Sequence, residues 1–193
     1  MPDKIKIRLA VFASGSGSNA EKLINYFRDH PVIEVALVVS NRPDAYVLKR
    51  AERLNVSSVV ISPAEWRNAD VIKNIFTQNK IDGIVLAGYL LLIPGYFIRM
   101  YPDKILNIHP ALLPEYGGKG MYGMHVHRAV IKSGSPKSGI TIHLVNEAYD
   151  KGRIVFQKSL NILPGETPEG LAKRVQELEH RYYPDVVERY FSQ

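Results

Sequence analysis

The sequence predicts one three-layer α/β domain, residues 1–193, on a mostly parallel central sheet. Three observations predict it. The length of 193 residues fits one domain against a usual span of about 100 to 200. Short, β-branched, nearly continuous apolar runs recur along the chain, as expected of strands covered on both faces. Amphipathic stretches of helical period lie between those runs, and alternating strand and helix implies parallel pairing through right-handed crossovers.

Each element follows in order. Ile7 to Ala13 reads as the first strand. Behind it Ala20, Leu23, Ile24 and Phe27 fall at i, i+3, i+4 and i+7, a helical stripe with Ser18 or Asn19 as N-cap. Val32 to Val39 is the second strand, and Leu48, Ala51 and Leu54 mark the second helix. Ser57 to Ile61 is the third strand; Val71, Ile72, Ile75 and Phe76 mark the third helix; Ile81 to Ala87 is the fourth strand. Lys104 to Ile108 is a fifth. Pro110 to Met124 carries two prolines and four glycines with few periodic apolar positions, so it is a loop, and long ordered loops usually carry function. Gly139 to Val145 and Ile154 to Leu160 are β-rich, and a long helix with Leu171, Val175, Leu178 and Tyr182 follows Thr167 until Pro184 interrupts it.

Composition removes several classes of function. With 46% apolar and 23% charged residues the chain has the material for a core. The absence of cysteine excludes disulfides, thiolate catalysis and Cys-based zinc sites. The longest apolar run, Gly83 to Pro94, is shorter than the roughly 20 residues a bilayer demands. The start, Met1 to Lys6, is charged with no apolar stretch behind it, so a soluble, cytoplasmic protein without a membrane partner is expected. The net charge of +6 suits a phosphorylated or polycarboxylate ligand. Its basic residues are scattered, without the run that marks a nucleic-acid tail, so no nucleic-acid partner is expected.

Three segments carry chemistry. Between the first strand and first helix lies Ala13-Ser14-Gly15-Ser16-Gly17-Ser18-Asn19, where backbone N–H groups and the positive end of a helix favour an anion. Gly15-x-Gly17-x-x-Ala20 also fits a loose dinucleotide fingerprint. That reading wants an acidic residue after the second strand, and the chain has Ser40-Asn41-Arg42, whose arginine suits an NADP 2′-phosphate instead. A plain Gly/Ser turn is the third reading. The second segment is Leu106-Asn107-Ile108-His109-Pro110 at the carboxyl end of a strand. Alternation sends Asn107 and His109 to one side and Ile108 to the core, so a carboxamide and an imidazole can serve one oxygen. The third is Asn146-Glu147-Ala148-Tyr149-Asp150-Lys151-Gly152, from which Asp150 can pair with His109, raise its pKa and favour imidazolium. His143, mid-strand, reads as a hydrogen-bonded core histidine or as a support to the site. His125 and His127 flank Val126 without a third ligand beside them, so they read as a helix-start histidine and an exposed one, with no metal expected. Gln176 and Glu179 share a helix face.

Taken together, S-G-S-G-S-N, S-N-R-P-D-A, V-L-A-G-Y-L, N-I-H-P-A-L-L-P and S-G-I-T-I-H-L-V-N-E-A-Y-D-K-G resemble the phosphoribosylglycinamide formyltransferases over essentially the whole chain. The N-I-H-P-x-L-L-P element with a downstream Asp is shared by the wider group that uses 10-formyltetrahydrofolate, including methionyl-tRNA formyltransferase and formyltetrahydrofolate deformylase. Those two would carry an added C-terminal or N-terminal domain, for which 193 residues leave no length.

The resemblance implies a Rossmann-like formyltransferase fold, with a phosphate-binding half at about 1–100 and a folate-binding, catalytic half at about 101–193. It implies transfer of the formyl group of 10-formyltetrahydrofolate, as co-substrate, to the amine of glycinamide ribonucleotide in purine biosynthesis. Asn107, His109 and Asp150 match the catalytic trio. Gly15, Ser16, Gly17, Ser18 and Asn19 would hold the ribose phosphate, and Glu179 would approach the glycinamide and ribose. Tyr89, Leu90, Leu91, Leu92 and Ile93, with Asn146, Glu147, Ala148 and Tyr149, would line the folate. The chain departs from the family in three places. Leu91 stands where an Arg is common, with Arg67 as a substitute contact for the folate tail. Asp-Gly-Gly reads Asp150-Lys151-Gly152. The Gly117 to Met124 segment is longer than usual and would close over the substrate phosphate, with Lys119 as an added cation. A monomer or homodimer is expected. A deformylase-like hydrolase and a non-catalytic NADP or nucleotide module stand as alternatives.

Overall fold

The computed structural model describes residues 6–193, so most of the charged start lies outside the described residues. Among the described residues seven strands form one sheet in the order β3-β2-β1-β4-β5-β6-β7. The strands are β1 (Ile7–Phe12), β2 (Ile33–Ser40), β3 (Ser57–Val60), β4 (Gly83–Leu86), β5 (Ile105–His109), β6 (Lys137–Leu144) and β7 (Ile154–Asn161). The pairings that join β1 to β5 are parallel, and β6 and β7 add antiparallel. The helices are α1 (Ser18–Phe27), α2 (Tyr46–Arg53), α3 (Ala69–Gln78), α4 (Gly95–Met100), α5 (Met124–Ser133) and α6 (Pro168–Phe191).

Alternation along the strands builds two cores, one on each face of the sheet. Leu9 and Val11 of β1, with Ala13 just after it, pack with α1, α2, α5 and α6, while Ala10 and Phe12 face α3 and α4. The second face is aromatic: Phe12 lies 5.2 Å from Tyr89 and Phe97 lies 4.8 Å from Phe76, ring centre to centre. Such burial is the main favourable contribution to folding, at about 25 cal/mol per Å² of apolar surface.

Local signals set the helix starts, with two corrections. Asn68 caps α3 by accepting from the Val71 N–H at 3.2 Å, and Thr167 caps α6 by accepting from the Gly170 N–H at 3.1 Å. The N-cap of α1, however, is Gly17, not Ser18 or Asn19. Gly17 has φ +73°, and a Cβ there would lie 2.4 Å from Val47 Cγ2, so only glycine lets the chain turn against α2. Pro184 does not interrupt α6, which runs 24 residues through it. An interior proline costs about 3 kcal/mol. Here Tyr183, Pro184, Val186 and Val187 are all buried, and that packing outweighs the lost hydrogen bond. In α3, Val71 faces solvent, and Ile72 and Phe76 make the buried contacts. No described helix is long and apolar enough to cross a membrane.

Candidate active site

The strand order reverses between β1 and β4, whose crossovers leave toward opposite edges of the sheet. Open α/β sheets bind ligands at that point, outside the carboxyl ends of the strands. A cavity of about 900 Å³ opens there. Its walls are the Gly15–Asn19 turn after β1, the Leu86–Ile93 segment after β4, the Gly118–Met124 loop, the Asn146 and Ala148–Asp150 turn, and one face of α6.

The wall at β1 is held by Ser14, which is buried. Its hydroxyl donates to Asn41 Oδ1 at 2.5 Å and accepts from the Leu90 N–H at 2.9 Å, tying the ends of β1, β2 and the segment after β4 together. Ser16 and Ser18 line the cavity at the start of α1, and Gln176 of α6 donates to Ser18 Oγ at 3.1 Å. Asn19 turns away from the turn itself and donates to Glu179 Oε2 at 2.7 Å, leaving its own Oδ1 buried without a protein partner. Burial pushes the Glu179 carboxyl up to about 7, against the opposing pull of the Asn19 amide.

On the far side, β5 and β6 pair antiparallel with Asn107 opposite His143 and His109 opposite Thr141. Cross-strand neighbours share a face, and Asn107 Nδ2 lies 3.0 Å from His143 Nε2. His143 Nδ1 lies 2.8 Å from the Leu144 carbonyl, which only accepts, so Nδ1 donates there and Nε2 is turned to the Asn107 amide. Gly152 permits this geometry, since a Cβ there would sit 1.6 Å from the same carbonyl oxygen.

Asp150 lies between the two strands. Its Oδ2 accepts from the Gly118 N–H at 2.9 Å and lies 3.6 Å from His109 Nδ1, while Oδ1 is 3.5 Å from both Asn107 Nδ2 and His143 Nε2. Desolvation raises its pKa, but the polar neighbours His143, His109 and the Gly118 N–H together outweigh it and hold the carboxyl below the usual carboxylate value. His109 Nε2 lies 2.8 Å from the Tyr116 carbonyl, so Nε2 carries the proton and Nδ1 faces Asp150.

One electrostatic expectation is corrected. His109 has its pKa lowered, not raised: burial disfavours the cation more than Asp150 and the Tyr116 carbonyl favour it. Its resting form is neutral imidazole at neutral pH.

Most of the sequence-predicted residues meet in this cavity. Gly15 to Asn19, Tyr89 to Ile93, Asn107, His109, Asn146, Ala148, Tyr149, Asp150 and Glu179 all line it. Two do not. Glu147 turns outward to pair with Arg99 at 2.9 Å, because the Asn146 side chain bonds the Ala148 N–H and swings the intervening residue to solvent. Arg67 ends the 3₁₀ turn Glu65–Arg67 and lines a smaller neighbouring cleft that shares Leu91 and Leu92 with the cavity. The Tyr89 ring is committed to the core, where its hydroxyl accepts from Trp66 Nε1 at 2.8 Å. Arg42 pairs with Asp44 at 2.7 Å outside the cavity, which removes the cation the NADP reading wanted.

Sequence reasoning missed the Tyr116 carbonyl, as a backbone group sends no sequence signal. It also missed the inward face of His127, which is buried at the start of α5 and lines the cavity. Gln176 was visible only as sharing a face with Glu179. Among the described residues no cluster of three or more His, Cys, Asp or Glu side chains is placed to share a metal ion.

A doubly covered α/β sheet with a ligand crevice at its switch point, and an Asn, two His and an Asp converging in it, is the arrangement of a ligand-binding α/β protein with a candidate acid–base site. The chain belongs to the formyl transferase family, whose model matches residues 7–187. It is 43% identical over 186 residues to a phosphoribosylglycinamide formyltransferase of Arabidopsis thaliana described as chloroplastic, covering 93% of this chain and 64% of that protein. The chain thus spans less than two thirds of the length of that plant relative. It is 34% identical over 187 residues to the phosphoribosylglycinamide formyltransferase of Bacillus subtilis, covering 94% of this chain and 93% of that one. The crystal structure of glycinamide ribonucleotide transformylase 1 from Geobacillus kaustophilus superimposes with a TM-score of 0.86 at 37% identity, covering 96% and 98% of the two chains.

Proposed function

We propose that the protein transfers a formyl group to the amine of glycinamide ribonucleotide, as the names of its relatives suggest, and takes that group from 10-formyltetrahydrofolate. The observation that supports this is the one cavity lined both by the Gly15–Asn19 turn at the start of α1 and by the Asn107, His109, Asp150 cluster. The phosphate binds at Gly15 to Ser18, against the free N–H groups and dipole of α1. Glu179, set by Asn19, meets the glycinamide and ribose. The folate occupies the wall from Tyr89 to Ile93 and the turn holding Asn146, Ala148 and Tyr149. The two halves of the chain form one working domain, with Gln176 and Glu179 reaching back from α6 to the first turn.

The reaction follows from the protonation states. The amine attacks the formyl carbon, and the carbonyl oxygen becomes an oxyanion while the nitrogen gains positive charge. Neutral His109 accepts the proton released by that nitrogen at Nδ1, directly or through a water. As imidazolium beside Asp150 it then stabilises the oxyanion, and it returns the proton to N10 of the folate as the C–N bond breaks. Asn107 donates to the same oxygen with the amide hydrogen that points weakly at Asp150, the other being fixed by His143. No covalent enzyme intermediate is required.

The test follows consumption of 10-formyltetrahydrofolate with glycinamide ribonucleotide present and withheld. Consumption only with the amine, yielding the formylated nucleotide, is the expected result. Consumption without the amine, releasing formate, would assign a deformylase instead.

A further inference from the structure

Two lysines of the cavity wall have no role in the chemistry above. Lys119 projects from the Gly118–Met124 loop, and Lys173 lies on α6 one turn before Gln176. Residues at i and i+3 share a helix face, and Gln176 donates to Ser18 Oγ at 3.1 Å, so Lys173 stands beside the phosphate turn. The loop that presents Lys119 is anchored at its base. Tyr116 accepts from His109, Gly118 donates to Asp150, and the Met121 N–H closes a turn on the Gly118 carbonyl at 3.0 Å.

Among the described residues neither lysine has a counter-ion. The ion pairs of the described residues are made by six arginines and three histidines, and neither lysine takes part. The carboxylates that line the cavity, Asp150 and Glu179, are engaged by Gly118 and Asn19. Two positive charges without a paired carboxylate therefore stand on the wall of the cavity that also holds the Gly15–Asn19 turn. Lysine is a point charge suited to a phosphate whose directional contacts come from backbone N–H groups.

We propose that Lys119 and Lys173 form a two-sided clamp on the terminal phosphomonoester of the substrate, one from the loop and one from α6, and so select a nucleotide over its nucleoside. The inference rests on the phosphate placement of the proposed function. It is read independently of turnover. Ribose 5-phosphate should raise the thermal midpoint of the protein and ribose should not, because a ligand that binds only the folded state stabilises it by mass action.

In K119M and in K173M the apparent Kd for ribose 5-phosphate should rise by about fivefold or more, and K119R and K173R should recover most of it. Both lysines are exposed, so the substitutions leave the core intact. Selectivity of formyl transfer for glycinamide ribonucleotide over its riboside should fall by a similar factor in each Met variant. A parent that ribose 5-phosphate does not protect, or an unchanged Kd in either Met variant, would overturn the clamp. A parent protected by ribose 5-phosphate but inactive in formyl transfer would keep the clamp and reject the proposed reaction.

Discussion

At the scale of single residues, the site depends on which atoms already hold protons. His109 begins neutral with Nε2–H committed to Tyr116, so Nδ1 alone can exchange a proton with substrate. Its lowered pKa places the acid limb of kcat/KM below 6.5, the value of an ordinary histidine, and that limb should vanish in His109→Ala. An acid limb above 6.5 would contradict the neutral resting form. Asn107→Ala should lower kcat by about 10² to 10³, the effect of removing one oxyanion donor. The position of both side chains was legible in the sequence, because the alternation of L-N-I-H-P sends Asn107 and His109 to one side. The sign of the histidine shift was not. It depends on how completely the surrounding chain excludes water, and residue spacing carries no measure of that.

Elements set how those residues are held. Gly152 is the point where the turn after β6 touches the Leu144 carbonyl, the acceptor for His143 Nδ1. Gly152→Ala must displace that carbonyl and loosen His143, so Asn107 loses its fixed orientation. The expected result is a kcat loss of about tenfold or more with folding retained, measured by steady-state kinetics beside a denaturant melt. At the far end of the same half, Thr167→Ala removes the side-chain cap of α6 and should cost about 1 kcal/mol, read as a lower denaturation midpoint at constant slope. The strands and the helices α1, α2 and α3 were legible as periodic runs between turn residues. The short helix α4 was not, for six residues are too few to show a period. The persistence of α6 through Pro184 was illegible too, since the burial that outweighs a proline is a tertiary property.

For the molecule as a whole, the buried ionisable groups give stability a definite pH dependence. Glu179 has its folded value raised from 4.5 to about 7, so between those values the folded state holds a proton the unfolded chain has released, and stability falls as pH rises. His109 acts in the opposite sense. Its folded value is lowered, so its contribution is full above 6.5 and is lost as pH falls below that. Asp150, also lowered, contributes above the ordinary carboxylate value of 3.8 and loses that contribution as pH falls through its folded value. Glu179→Gln should therefore stabilise the protein at pH 8 relative to pH 4, by on the order of 3 kcal/mol for a shift of this size. Denaturant melts across that range check it, and an equal effect at both ends would contradict the buried, partly protonated carboxyl. The fold class was legible because strand and helix alternate along the chain, while the meeting of α6 with the first turn was not. Asn19 and Glu179 stand far apart in sequence, and only the topology brings them to 2.7 Å.

The most direct test of the central claim is the rate of formyl transfer from 10-formyltetrahydrofolate to glycinamide ribonucleotide in Asp150→Asn compared with the parent. The substitution keeps the size of the side chain and removes the charge that lets His109 hold a proton at the intermediate. A fall in kcat of about 10² or more with KM for both substrates nearly unchanged is the predicted result. An unchanged kcat would remove the His109–Asp150 pair from the chemistry.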